Sequence, residues 1–127
     1  MRLLLDTSVL LWWLDDDERL GPKARAAIAD PENEVFVSSA SAWEISVKRA
    51  SGKLEAAIDI VSALERSYFT GLSIDVVHAV AAGELPRHHK DPFDRMLVAQ
   101  ARLEGVTLVT DDADIARYEV DLLDARR

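Results

Sequence analysis

Strand-like and helix-like segments alternate along nearly the whole chain, and this constrains the fold more than any single motif does. Arg2–Leu5 is a short apolar run that fits a buried strand, and Glu34–Ser38 alternates and is rich in Val and Phe. Residues 106–109 read as a third strand, residues 72–74 as a minor one and residues 119–123 as the last. The helical segments fall between them. Residues 9–14 are apolar nearly all round, and Gly21-Pro22 opens a second helix that Asp30-Pro31 breaks. A third helix is capped by Ser39 or Ser41 and runs to about Ala50, with Trp43, Val47 and Ala50 as its expected core stripe. Residues 53–57 read as a connection, and residues 58–69 as an amphipathic helix with Val61, Leu64 and Tyr68 inward, stopped by Thr70-Gly71. Asp75 caps a helix that Gly83 ends, and residues 113–118 form another. The pattern predicts one α/β domain over residues 1–127. Its sheet should be mainly parallel, with about four to five strands, and residues 124–127 should fray.

The sharpest local signal is the loop-to-helix start within residues 90–101. Asp91 stands at the N-cap, and Pro92 takes the first helical position, where a missing N–H costs nothing. Asp94 falls in the first turn. Phe93, Leu97 and Ala101, with Met96 beside them, recur as a core face, while Arg95 and Arg102 share an outward side. Gly105 stops the helix.

Each acid has an ordinary structural reading. Asp94 complements a helix dipole, and Glu44 pairs with Lys48 one turn on. Their shared location argues for more. Ligands of an open α/β sheet bind beyond the C-terminal ends of its strands. Asp6 directly follows the first strand, Asp111 and Asp112 follow the strand 106–109, and Glu44 lies in the helix leaving Glu34–Ser38. Asp94 opens the helix that leads back into 106–109, so four carboxylates can converge at one rim. Such a cluster is costly unless a cation offsets it, and a hard divalent ion such as Mg²⁺ prefers oxygen ligands. A metal can then activate water against a phosphodiester.

The chain has 15 basic and 23 acidic residues, a net charge of −8, which argues against gripping nucleic acid by general basicity. An enzyme that meets phosphate through a metal stays open. Arg87, His88, His89 and Lys90 form a small basic patch that could meet substrate phosphates; two adjacent histidines point apart and make no natural metal pair. His78 reads as a satisfied structural histidine, and residues 15–18 as a solvated acidic loop. With no cysteine there is no disulfide or thiolate site. Asp6 interrupts the apolar start, and no run approaches membrane-spanning length, so the expectation is a cytoplasmic protein.

Four blocks, Leu3-Leu4-Leu5-Asp6-Thr7-Ser8-Val9-Leu10-Leu11-Trp12, Ser41-Ala42-Trp43-Glu44-Ile45, His89-Lys90-Asp91-Pro92-Phe93-Asp94-Arg95-Met96-Leu97 and Leu108-Val109-Thr110-Asp111-Asp112, together resemble PIN-domain ribonucleases, most closely the VapC-type toxins of type II toxin–antitoxin pairs. The resemblance implies an α/β/α sandwich and Mg²⁺- or Mn²⁺-dependent endonuclease cleavage of RNA. It implies Asp6, Glu44, Asp94 and Asp112 as the catalytic acids, with Asp6, Asp94 and Asp112 foremost as metal ligands. Thr7, Ser8 and Thr110 would be supporting hydroxyls, and Asp112 is preferred to Asp111 by its distance from Thr110. Lys48, Arg87, His89, Lys90 and Arg95 are the candidate RNA contacts. A cognate antitoxin and a homodimer are the implied partners.

Two other readings compete. An aspartyl phosphate on Asp6 is disfavoured, because Ser8 stands where a second acid is wanted. A non-catalytic binding module, its acids merely capping helices, needs four coincidences at one rim.

Overall fold

The computed structural model describes residues 1–55 and 58–127. Its strands are β1 (Arg2–Leu5), β2 (Glu34–Ser38), β3 (Thr70–Leu72), β4 (Thr107–Thr110) and β5 (Leu122–Asp124). They form one sheet in the order β3-β2-β1-β4-β5, and every pairing is parallel. The helices are α1 (Thr7–Leu14), α2 (Pro22–Ala29), α3 (Ser39–Ala50), α4 (Ile60–Arg66), α5 (Val76–Glu84) and α6 (Pro92–Glu104), with a 3-10 turn at Ile115–Arg117.

The central strand is covered on both faces, which is why it reads as an unbroken apolar run. Leu3, Leu4 and Leu5 are all fully buried. Leu3 and Leu5 join Val9 and Leu10 of α1, Ala24 and Ile28 of α2 and Ile45 of α3 in one core. Leu4 faces the other way, into a second core with Leu97 and Val98 of α6, Ala82 of α5 and Leu108. The result is an α/β/α sandwich. The chain steps outward from β1 through β2 to β3, then returns to β4 on the other side of β1. That reversal places a crevice at the C-terminal ends of β1 and β4.

Several sequence expectations shift. The cap of α3 is Ser38, whose Oγ accepts from the Ala40 N–H at 3.0 Å; Ser39 starts the helix and Ser41 lies inside it. The expected stripe of that helix faces outward: Trp43 is 64% exposed, Val47 44%, and Ala50 is exposed too. The buried face carries Ala40, Ser41, Glu44 and Ile45. Two polar residues are inside because this face looks at the acidic rim, so apolarity picks the wrong side.

The same happens in α4. Of its expected inward side, Leu64 packs against the core, but Val61 and Tyr68 are exposed, and the helix ends at Arg66. Tyr68 takes a left-handed φ of 59° beyond it. Thr70-Gly71 does not stop a helix; it begins the edge strand β3 beside β2, displacing the strand expected at 72–74. Gly83 lies within α5 and does not end it. The helix expected at 113–118 is only the short 3-10 turn, and the connection expected at 53–57 falls partly outside the described residues. Strands β4 and β5 begin later than expected, and β5 ends at Asp124.

The last residues do not fray. Ala125 is fully buried and donates its N–H to the Thr110 carbonyl at 3.0 Å. Gly21 donates to the Ala125 carbonyl at 2.9 Å and Ala24 to that of Arg127 at 2.8 Å, so the C-terminus docks on the start of α2. A Cβ on Gly21 would overlap the backbone of Arg126 and Arg127.

The start of α6 matches its sequence. Asp91 Oδ1 accepts from the N–H groups of Phe93 and Asp94 at 2.8 and 3.4 Å, and Gly105 ends the helix in the left-handed region at φ 65°.

Candidate metal centre

Asp6 ends β1 and caps α1 in one residue. Its N–H donates to the Val109 carbonyl at 3.1 Å, carrying the β1–β4 ladder one step further. Its Oδ1 accepts from the Val9 N–H at 2.8 Å and its Oδ2 from the Thr110 hydroxyl at 2.5 Å. Burial pushes its pKa up to about 6, against the Thr110 and Val9 hydrogen bonds, and the charges of Asp111 and Asp112 add to the rise. Thr110 serves twice, because its Oγ also accepts from the Asp112 N–H at 3.1 Å. Thr7 is buried and donates its hydroxyl to Ser41 Oγ at 3.0 Å, tying α1 to α3. Ser8 is exposed.

Glu44 sits one turn beyond Ser41 and is 4% exposed. Its Oε2 accepts from Lys48 Nζ at 2.6 Å, the helical ion pair its spacing offered. Its Oε1 is buried and has no hydrogen-bond partner among the described residues. Leaving a buried acceptor unpaired costs about 1–3 kcal/mol, more when it is charged.

Asp94, in the first turn of α6, is pushed up to about 7 by burial and by Asp91, then Glu44 and Asp6, with His89 opposing. Asp94 thus feels the charges of Glu44 and Asp6, and one ring nitrogen of His89 lies 3.0 Å from both Asp94 and Asp112. Asp112 has the opposite balance. Burial raises its pKa, but the His89 hydrogen bond and the N–H groups of Ile115 and Asp114 outweigh that and hold it below the usual carboxylate range. Asp112 shares His89 with Asp94, whereas Asp111 is exposed. Among the described residues, the three-residue group whose donor atoms lie within 4.8 Å of one another is His89, Asp112 and Asp114. The four acids do not draw that close, but all four carboxylates supply oxygen donors, which suits a hard cation.

The basic residues divide. Arg95 does not face outward: its guanidinium donates to the carbonyls of Ala82, Gly83, Leu85, Pro86 and His89 at 2.9–3.3 Å, closing the end of α5. Arg87 and Lys90 are exposed and line a surface cavity with His89, Pro92 and Arg95. His88 packs edge-on against Tyr118, while His89 turns into the acidic rim. His78 is buried and structural, accepting from the Asp75 N–H at 2.9 Å and meeting Glu104 at 3.2 Å. The sequence offers Ser41 as a cap and within a family-like block but assigns it no place in the site, and it does not single out Tyr118. The available signal for Ser41 was its place three residues before Glu44, on the same helical face.

A parallel sheet whose central strand ends in a buried acid, with further carboxylates converging from α3, α6 and the β4 end, defines a class of α/β proteins built around an acidic rim. The family model described as PIN domain matches residues 3–121, and the chain belongs to that family. It is 31% identical over 113 residues to Ribonuclease VapC22 of Mycobacterium tuberculosis, spanning 87% of this chain and 86% of that one. Among solved structures it is similar in fold to VapBC2 of Rickettsia felis bound to a promoter DNA fragment, with a TM-score of 0.71 at 18% identity over 97% of this chain and 98% of that chain. DNA-bound VapBC of Salmonella typhimurium gives 0.68 at 21% identity, covering 98% of each.

Proposed function

We propose that this chain is a metal-dependent endoribonuclease, the toxin of a type II toxin–antitoxin pair, with residues 1–127 acting as one domain. Membership of the PIN family and the likeness to a VapC ribonuclease over most of both chains support the activity. The observation that carries the metal reading is Glu44 Oε1, a buried carboxylate oxygen with no partner among the described residues, beside two aspartates held well above their usual pKa. A divalent cation at the rim offsets such buried, mutually repelling carboxylates.

Asp6, Asp94 and Asp112 would hold Mg²⁺ or Mn²⁺, with Glu44 completing the acidic site. When bound, such a cation neutralises charge developing on the phosphate and makes water a competent nucleophile at neutral pH. The chain's own contribution is position. Thr110 and the Val9 N–H fix Asp6 from both sides, and the N–H groups of Asp114 and Ile115 fix Asp112. Lys48 engages one Glu44 oxygen and leaves the other free. Arg87 and Lys90, exposed beside the rim, would meet the flanking RNA phosphates, with Lys48 on the α3 side. Arg95 would contribute charge and loop shape more than direct contact, since carbonyls occupy its donors.

A solved structure similar in fold is a toxin–antitoxin complex from Klebsiella pneumoniae, which supports an antitoxin partner here. A second copy of the chain is the other partner proposed. No helix among the described residues is long and apolar enough to cross a membrane, and an RNA substrate fits a cytoplasmic setting.

Thermal melting against Mn²⁺ tests the metal reading. The unsubstituted chain should show a saturable rise in Tm that Asp94→Asn abolishes; a flat titration overturns it.

A further inference from the structure

His89 stands inside the proposed site, yet it fits no role assigned to it above. Its Nε2 lies 3.0 Å from Asp94 Oδ2 and 3.0 Å from Asp112 Oδ2. Its Nδ1 accepts the Asp91 backbone N–H at 3.0 Å. A ring nitrogen that accepts a hydrogen bond cannot itself carry a proton, so the proton of the neutral ring is on Nε2. In the doubly protonated ring, which would have to give up the Asp91 hydrogen bond, Nε2 also carries one. Either way the nitrogen facing the carboxylates is a donor and has no lone pair to offer a metal.

The backbone around the ring is fixed as well. The His89 N–H donates to Tyr118 Oη at 3.0 Å, Tyr118 donates onward to the Pro86 carbonyl at 2.6 Å, and Arg95 holds the His89 carbonyl at 3.2 Å. The side chain is 13% exposed. A residue clamped at its N–H, its carbonyl and one ring nitrogen is poorly placed to swing out to a phosphate. Asp91 supplies the tautomer with its N–H and the start of α6 with its carboxylate, so one residue couples the helix cap to the ring.

We propose that His89 is a positioning residue: its Nε2–H hydrogen-bonds Asp112 beyond β4 and lies against Asp94 on α6, so that one ring holds both acids with their remaining lone pairs toward the site. It acts through these two acids and touches neither cation nor RNA. This rests on the metal reading above. Partners that orient metal-binding side chains typically change metal affinity or activity 10–100-fold when removed.

The test compares His89→Ala, which removes the donor, with His89→Gln, whose amide nitrogen reaches a similar place. Far-UV circular dichroism reports folding, and calorimetric titration with Mn²⁺ reports affinity. H89A should bind Mn²⁺ roughly tenfold or more weakly, and H89Q should recover most of that loss. On the unsubstituted chain at alkaline pH, where the imidazole is neutral, ¹⁵N NMR should show protonated Nε2 and unprotonated Nδ1, unchanged on adding Mg²⁺. This measurement needs no variant and decides the matter even if H89A fails to fold.

Loss of the Nε2 proton on adding Mg²⁺, or Mn²⁺ binding weakened equally in both variants, would make His89 a ligand and overturn the proposal. Unchanged Mn²⁺ affinity in both, with a raised KM for RNA, would make it a substrate contact and also overturn it. In those cases the metal reading survives. No Mn²⁺ binding by the unsubstituted chain overturns the metal reading itself, and this proposal with it.

Discussion

At the residue scale, the electrostatics of the rim set the sharpest expectations. Asp94 and Asp6 hold their protons up to about pH 7 and 6 in the folded chain. Unfolded, they release them near pH 4. Protonation therefore favours the folded state. This contribution is fully present below about pH 4 and is lost as the pH rises through the folded values. The raised His89 acts in the same direction. Burial alone would lower it, but the Asp112 hydrogen bond and the charges of Asp94, Asp112 and Asp91 outweigh that. Asp112 and Asp17, both lowered, act oppositely and only in the acid range. Metal-free protein should thus melt at a lower temperature at pH 8 than at pH 5, and saturating Mn²⁺ should remove most of the difference. A metal-free Tm that rises from pH 5 to 8 would refute the crowding. By the same logic, Asp94→Asn should raise the metal-free Tm at pH 8, by up to a few degrees, while cutting RNA cleavage by roughly two orders of magnitude or more. A variant that loses activity by misfolding would lower Tm instead.

At the element scale, what the sequence revealed and what it hid follow from packing. The start of α6 is legible because capping chemistry is local: Asp91, Pro92 and Gly105 each do their work within a turn. Asp6 is legible because a central strand must end where its apolar run ends. The buried face of α3 is not local, since it depends on what lies opposite. Ser41 faces Thr7, and Glu44 faces the rim, so Trp43 and Val47 turn outward although they look like core. Their exposure makes a measurable difference. Val47→Ser should change stability by less than about 0.5 kcal/mol, whereas Ile45→Ala should cost about 2–5 kcal/mol, as read by denaturant unfolding. His89 was hidden for the same reason. Adjacent histidines diverge, but only the fold decides which one meets Asp94 and Asp112.

The C-terminus was misjudged because terminal residues usually lack partners. Here three backbone hydrogen bonds tie residues 125–127 to Thr110 and the start of α2. Gly21→Ala should destabilise by about 1–3 kcal/mol, since its methyl must displace that docked backbone. A neutral result would show that the terminus yields without cost.

At the scale of the whole molecule, the sheet order makes the site. Returning from β3 to β4 across β1 brings Asp6, Thr110 and Asp112 to one crevice, and α3 and α6 deliver Glu44 and Asp94 beside it. The chain carries a net charge of −8 and keeps Arg87 and Lys90 exposed near His89. RNA affinity should therefore depend on divalent cation more than on general basicity. The most direct measurement is cleavage of a panel of single-stranded and structured RNAs by the purified chain, with Mn²⁺ or Mg²⁺, with chelator, and with Asp94→Asn in place of the unsubstituted protein. The four-carboxylate account predicts discrete cleavage that requires the cation and vanishes in D94N. Cleavage that persists in chelator, or at an undiminished rate in D94N, would contradict it.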